Sequence, residues 1–227
     1  MNNDNILEVR DVGKTYRRGE NEVKVLNGID LDVKRGEYVS LMGPSGSGKT
    51  TLLNIIGGID SPTRGSVVID GTNIAELDDD GLSEWRTANI GFVFQQYNLI
   101  PVLTAVENVE LPLLLFTMTK EDRRRRALAA LDVVGLKERV NHYPRQMSGG
   151  EEQRTSIARA FVTDPKLIVA DEPTGNLDAV AAKNILDLMQ TLNERFHKTI
   201  LMVTHDPAAA KRAHRLVQLN KGDLVSQ

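Results

Sequence analysis

Residues 43–50 read Gly43-Pro44-Ser45-Gly46-Ser47-Gly48-Lys49-Thr50, an ungapped match to G-x-x-x-x-G-K-[ST]. An apolar run, Tyr38–Met42, precedes it and reads as a strand. A plausible helix, Thr51–Ile56, follows. Strand, glycine-rich turn and helix make the setting in which this pattern cradles phosphate. Gly43, Gly46 and Gly48 admit backbone conformations that a side chain forbids, so consecutive N–H groups turn inward toward phosphate oxygens. The positive end of the following helix adds to them. Lys49 brings a point charge to the β- and γ-phosphates, and the Thr50 hydroxyl is a ligand for Mg²⁺. Pro44, Ser45, Ser47 and Thr51 complete the expected phosphate-binding set.

A nucleotide triphosphatase also needs a carboxylate to hold the metal and a group to position water. Leu167-Ile168-Val169-Ala170-Asp171-Glu172 offers both at the C-terminal end of a continuous apolar strand, where α/β proteins bind ligands. Asp171 is the candidate Mg²⁺ partner, through water. Glu172 is the candidate general base. An exposed loop or helix cap would carry the same pair, and only its company with residues 43–50 favours the chemical reading.

The rest of the composition is unexceptional and excludes several classes. The 227 residues include 41% apolar and 26% charged side chains, ordinary for a globular protein and not for a disordered one. There is no cysteine, hence no disulfide, thiolate metal site or cysteine nucleophile. Twenty-eight Lys plus Arg against 31 Asp plus Glu leave a net charge of −3, which argues against a nucleic-acid partner. The start, MNNDNILEVR, lacks the basic and apolar regions of a signal peptide. The most apolar segment, Leu111 to Met118, is far too short to span a bilayer. The chain is expected to reach a membrane only through a partner.

Along the chain, ILEV (6–9), KVLNGIDLDV (24–33) and EYVSLM (37–42) read as strands, punctuated by Arg-Gly-Glu turns at 18–20 and 35–37. Asp70-Gly71 within SVVIDGTNI (66–74) signals a hairpin, and IGFVF (90–94) is another strand. From Ala105 to Arg139 the texture is helical, with Leu128, Leu131, Val134 and Leu136 recurring among charges. LIVA (167–170) and TILMVT (199–204) read as buried parallel strands flanking a helix at 179–195, and RLVQLNKGDLVSQ as two strands around a turn. Arg123–Arg126 invites a nucleic-acid or anionic-lipid reading but reads better as a solvated helix face, and Trp85 reads as a packing residue.

Met147-Ser148-Gly149-Gly150-Glu151-Glu152-Gln153-Arg154 lies between the two phosphate motifs. Here the sequence resembles the ATP-binding cassette (ABC) ATPases, whose signature is Leu-Ser-Gly-Gly-Gln. The order agrees throughout: phosphate loop, Gln95, signature, Asp171-Glu172, Gly175-Asn176-Leu177-Asp178 and His205. The likeness runs from Ile6 to Val225. It implies an α/β fold: a P-loop NTPase core with an N-terminal antiparallel β-subdomain and an inserted α-helical subdomain. One domain would span 1–227, with core and β-subdomain at about 1–94 and 160–227 and the helical part at about 95–159.

The same resemblance implies roles for single residues. Gln95 would touch Mg²⁺ and the attacking water, although neighbouring Gln96 is easily confused with it. His205 would bond the γ-phosphate, and Tyr16 would stack on adenine, unless it merely packs at a strand end. Asp178 would link two sites. Ser148, Gly149 and Gly150 open a helix, so their free N–H groups and hydroxyl form a second anion surface. In the family that surface serves the ATP of a partner subunit, with two copies pairing head-to-tail when ATP binds. Glu151 stands where Gln is typical and would place a carboxylate near the incoming phosphate.

NLIPVLTAVENVELPL (98–113), with Gly57-Gly58-Ile59-Asp60, most resembles the branch of lipoprotein-releasing and macrolide-export ATPases. That implies an ATPase at the cytoplasmic face of the inner membrane, powering an integral membrane subunit docked over about Gln95 to Met118. A cell-division-type regulator of a wall hydrolase, or a soluble ABC ATPase, are the alternatives.

Overall fold

The computed structural model describes residues 4–19 and 21–225. Residues 1–3 of the N-terminal reading, Glu20 of the first turn, and residues 226–227 lie outside them.

Two sheets organise the chain. Strands β1 (Asn5–Arg18) and β2 (Asn21–Lys34) form a long antiparallel pair, and β4 (Arg64–Ile69) and β5 (Thr72–Asn73) complete the sheet in the order β2-β1-β4-β5. The Asp70-Gly71 turn joins β4 to β5, with Asp70 at φ +48° and Gly71 at φ +82°. The second sheet has the order β10-β9-β3-β8-β7-β6. In it β3 (Tyr38–Met42), β6 (Ile90–Val93), β7 (Leu167–Asp171), β8 (Thr199–Thr204) and β9 (Arg215–Asn220) run parallel, and β10 (Asp223–Val225) returns antiparallel.

The parallel strands are buried on both faces, and their period of two divides the apolar residues between two cores. Val39, Leu41, Leu167, Val169, Leu201 and Val203 face helix α1 (Lys49–Ile56) and the antiparallel sheet. Tyr38, Ile168, Ala170, Ile200 and Met202 face the opposite core with α3 (Ala105–Glu110), α4 (Lys120–Val133), α5 (Gly149–Phe161) and α6 (Ala179–Phe196). Each fully buried Leu or Ile is worth about 1.5–3 kcal/mol, so the sheet is held from both sides.

One helix goes beyond the sequence reading and one expectation changes. Helix α2 (Asp79–Asn89) has no fully buried residue, and only Leu82 and Trp85 pack on a core. Asp78 caps it by accepting from the Gly81 N–H at 2.9 Å, and Trp85 packs on the first core. Along α4 and the turn that follows it the expected apolar face is thinner: Leu131, Val134 and Leu136 are buried, but Leu128 is 38% exposed. The arginine run lies on that helix, where Arg125 pairs with Asp122 and Arg124 with Glu110. Among the described residues no helix is long and apolar enough to cross a membrane.

Candidate functional site

Three adjacent strands end at one place. β3 leads into the phosphate loop, β7 into Asp171 and Glu172, and β8, between them, into His205. The loop wraps closely enough that a Cβ on Gly43 would meet the Leu219 carbonyl oxygen at 2.1 Å, and Gly48 enters α1 at φ +101°. Helices α2, α4, α5 and α6 are capped by the side chains of Asp78, Thr119, Ser148 and Asp178. Helix α1 has no side-chain cap, so its first amides are left for an anion. Lys49 turns its ammonium back to donate to the carbonyls of Gly43 at 2.8 Å and Pro44 at 2.9 Å.

A pocket of about 660 Å³ opens here, lined by Val25, Ser45, Gly46, Gly48, Lys49, Thr50, Thr51, Gln95, Asp171, Glu172 and His205. Its far wall carries the acidic chemistry. Thr50 Oγ1 donates to Asp171 Oδ2 at 3.1 Å, while Asp171 Oδ1 is buried without a hydrogen-bond partner. Burial pushes the Asp171 carboxyl up, and the charge of Glu172 adds to this against the Thr50 bond and Lys49. Among the described residues no cluster of three or more His, Cys, Asp or Glu forms a cation cage. Thr50 Oγ1 and the unpartnered Asp171 Oδ1 are the oxygens that this wall would offer to a divalent ion.

Glu172 adopts φ +47°, the left-handed region that is costly for a side chain, and its amide donates to the Val203 carbonyl at 2.9 Å. That bend at the end of β7 turns the carboxylate to His205. Gln95 follows β6 closely and is fixed by Asn176, whose side-chain amide donates to the Gln95 carbonyl at 3.0 Å. Gln95 lines the pocket and Gln96 does not.

The signature lies elsewhere. Ser148 caps α5, its N–H donating to Glu151 Oε2 at 2.8 Å while the Glu151 amide donates to Ser148 Oγ at 3.3 Å. Arg139 Nε donates to the other Glu151 oxygen at 2.9 Å. Glu151 is thus half of a reciprocal cap, with its charge matched by Arg139. The bond from the Ser148 amide is the main reason its carboxyl sits below the ordinary range. The pattern Ser-x-x-Glu was the available signal.

A family profile described as "ABC transporter" matches residues 26–175. An ATP-binding protein of Methanocaldococcus jannaschii, the uncharacterized ABC transporter protein MJ0796, is 49% identical over 223 residues, covering 96% of this chain and 95% of its own. The chain belongs to the ABC transporter ATP-binding family. A solved dimeric structure described as a post-hydrolysis state of the MJ0796 cassette, bound to ADP and Pi, has a TM-score of 0.89 at 47% identity and covers 97% of each chain. The macrolide export ATP-binding/permease protein MacB of Brucella melitensis is 43% identical over 97% of this chain, which spans 34% of that longer protein.

The cassette thus gathers Ser45, Gly46, Gly48, Lys49, Thr50, Thr51, Gln95, Asp171, Glu172 and His205 around one pocket. Gly43 and Pro44 underlie it as acceptors for Lys49, and Ser47 is buried in the loop. Tyr16 stands to one side, 43% exposed. Ser148, Gly149 and Gly150 are not in the pocket, nor is Asp178, which accepts from the Val180 and Ala181 amides at 2.9 Å to cap α6.

Two further residues of the cassette escaped the sequence reading. Gln153, fully buried on α5, donates through Nε2 to the carbonyls of Phe94 at 3.3 Å and Pro173 at 2.7 Å. Those carbonyls immediately precede Gln95 and follow Glu172. Arg159, two turns further along α5, donates to the carbonyls of Tyr97 at 2.8 Å and Asn98 at 2.6 Å. The signature helix therefore grips the backbone on either side of the reaction centre.

Proposed function

We propose that this ABC ATPase is the ATP-hydrolysing subunit of a transporter or mechanotransmission complex, closing head-to-tail with a second copy over ATP and so driving a separate membrane subunit. The observation that carries this reading is the division of its anion surfaces. The phosphate loop, Asp171 and Glu172 share one pocket, while Ser148–Gly150 lie outside it. A complete site then needs the signature of one copy against the loop of another.

In that arrangement the loop amides and Lys49 bind the β- and γ-phosphates, and Tyr16 receives the base. Thr50, Asp171 and Gln95 would hold Mg²⁺, which when bound would neutralise charge on the phosphate oxygens. Glu172 accepts a proton from the attacking water. His205 orients that carboxylate and reaches toward the γ-phosphate. Ser148 and the amides of Gly149 and Gly150 approach the same phosphate from the partner copy, and Asp178 connects the two sites.

The membrane subunit docks over about Gln95 to Met118, at the start of the helical part. Ile100, Val102, Leu114 and Leu115 are exposed there, Val102 by 78% and Leu115 by 73%. That contact holds the cassette at the cytoplasmic face of the membrane.

Two experiments test these halves. Ser148→Arg and Lys49→Ala are each expected to be inactive alone and to recover part of the hydrolysis when mixed, since one composite site then has both halves intact. Absence of recovery in any proportion counts against the shared site. Because the chain has no cysteine, a single Cys at Val102 gives a clean cross-linking probe. In native membranes it should capture one integral membrane protein, in a yield that depends on nucleotide. Capture of soluble proteins alone overturns the docking assignment.

A further inference from the structure

Tyr16 does not itself line the pocket but is bonded to the side chain of Thr51, which does, and further contacts hold its ring. Lys14, two residues earlier on β1 and on the same face, is largely buried, its side chain only 11% exposed. Its ammonium lies 4.8 Å from the centre of the Tyr16 ring. It also donates to Asp60 Oδ1 at 2.5 Å and to the Ser61 carbonyl at 2.6 Å. The other oxygen of Asp60 accepts the Tyr16 hydroxyl at 2.6 Å. Burial and this bond both raise the Tyr16 phenol above its ordinary value, so it stays a neutral donor.

Asp60 belongs to the turn that leaves α1. Its amide and that of Ile59 donate to the Asn54 carbonyl inside the helix, at 3.2 and 2.8 Å. Three residues later the turn is sewn to β1: Thr63 N–H donates to the Gly13 carbonyl at 2.8 Å, and Thr15 N–H to Thr63 Oγ1 at 3.0 Å. The helix that opens with the phosphate loop is thus connected to the Tyr16 ring through short bonds at every step.

We propose that Lys14 and Asp60 are positioning residues for the nucleotide base, holding the Tyr16 ring as a one-sided stacking platform at a fixed reach from the phosphate loop. Lys14 covers one ring face, and the base takes the other. Asp60 stops the ring from swinging about its side-chain bonds, so less ordering is left to occur when nucleotide binds. The proposal rests on the reading of Tyr16 as the base platform.

The test compares two ligands for the whole chain with Mg²⁺: ATP, which has a base, and tripolyphosphate, which has only the phosphates. Tyr16→Ala should weaken ATP binding and leave tripolyphosphate binding as in the wild type. Lys14→Met should weaken ATP binding by about three- to thirtyfold, the range of a partly desolvated cation–ring contact, again without changing tripolyphosphate. Lys14→Arg should restore most of the loss. Tyr16→Phe, which keeps the ring and releases it from Asp60, should raise KM for ATP rather than lower kcat. If Tyr16→Ala leaves the ratio of the two affinities unchanged, the platform reading itself fails and the proposal with it. If Tyr16→Ala changes the ratio but Lys14→Met and Tyr16→Phe do not, only the positioning role is overturned. Equal weakening of both ligands by Lys14→Met would mean general loss of structure, and would also overturn it.

Discussion

His205 holds Glu172 by both of its oxygens: the ring Nδ1 lies 2.8 Å from Oε1, and the backbone amide donates to Oε2 at 3.3 Å. Side chain and main chain of one residue thereby fix the carboxylate of another that stands 33 positions earlier. A carboxylate held twice is aimed before any water arrives, which is what a general base needs.

Replacing the proposed base while keeping its shape separates binding from chemistry. Glu172→Gln should bind ATP as the wild type does and hydrolyse it roughly 10²–10⁴ times more slowly. It should also accumulate as an ATP-bound dimer, visible as an earlier gel-filtration peak with ATP than with ADP. Normal turnover would remove Glu172 from the role.

His205→Ala frees the ring-side oxygen but leaves the backbone contact. Turnover should fall by about 10²-fold, the usual result of misplacing a reacting group by an ångström or so. ATP affinity, measured by titration, should change much less than kcat. A proportionate loss of both would instead place His205 in ground-state binding.

Asp171→Asn keeps an acceptor for Thr50 while removing the charge beside a buried oxygen that has no protein partner. The Mg²⁺ concentration giving half-maximal hydrolysis should rise by at least tenfold, and excess chelator should silence both forms. An unchanged Mg²⁺ requirement would exclude this carboxylate from the metal site.

The Glu151 carboxyl titrates below its unfolded value of 4.5, chiefly through the Ser148 amide. Its contribution to stability is therefore complete above that pH and is lost as the pH falls through the lower folded value. Thermal unfolding followed from pH 7 to pH 3 should show a wild-type advantage over Glu151→Ala that narrows below about pH 4.5. A gap that stays constant across the range would mean that the cap works without its charge.

Gln153→Leu removes the donor that joins the Phe94 and Pro173 carbonyls. Leaving buried acceptors short costs about 1–3 kcal/mol, read as a lower unfolding midpoint. Turnover at a temperature where the variant is fully folded should fall as well, because the backbone beside Gln95 and Glu172 loosens together. Full activity in the folded variant would leave Gln153 a purely architectural residue.

Much of this was readable in the letters, for a local reason. The phosphate loop, Asp171-Glu172 and His205 each close a short apolar strand, so motif and context lie side by side. The two cores were less accessible, since only the alternation within β3, β7 and β8 tells which residue faces which layer. Helix α2 gave no signal because its face is nowhere fully buried. The Glu151 cap was present locally as Ser-x-x-Glu, but its partner Arg139 stands 12 positions earlier. The bond from Lys14 to Asp60 joins residues 46 positions apart, and no spacing rule along one strand reaches that far.

The order β3-β8-β7 has a mechanical consequence. Neighbouring strands lie about 4.8 Å apart, so the lattice of main-chain bonds acts as a ruler that sets the distances between the phosphate loop, His205 and Glu172. Side chains may be exchanged beneath it without altering those intervals. A slip of one residue in β8 would move His205 by about 3.3 Å along the strand and exchange the layers faced by Ile200 and Leu201. The sheet thus sets the spacing of the phosphate loop, His205 and Glu172 before any second copy or membrane subunit approaches.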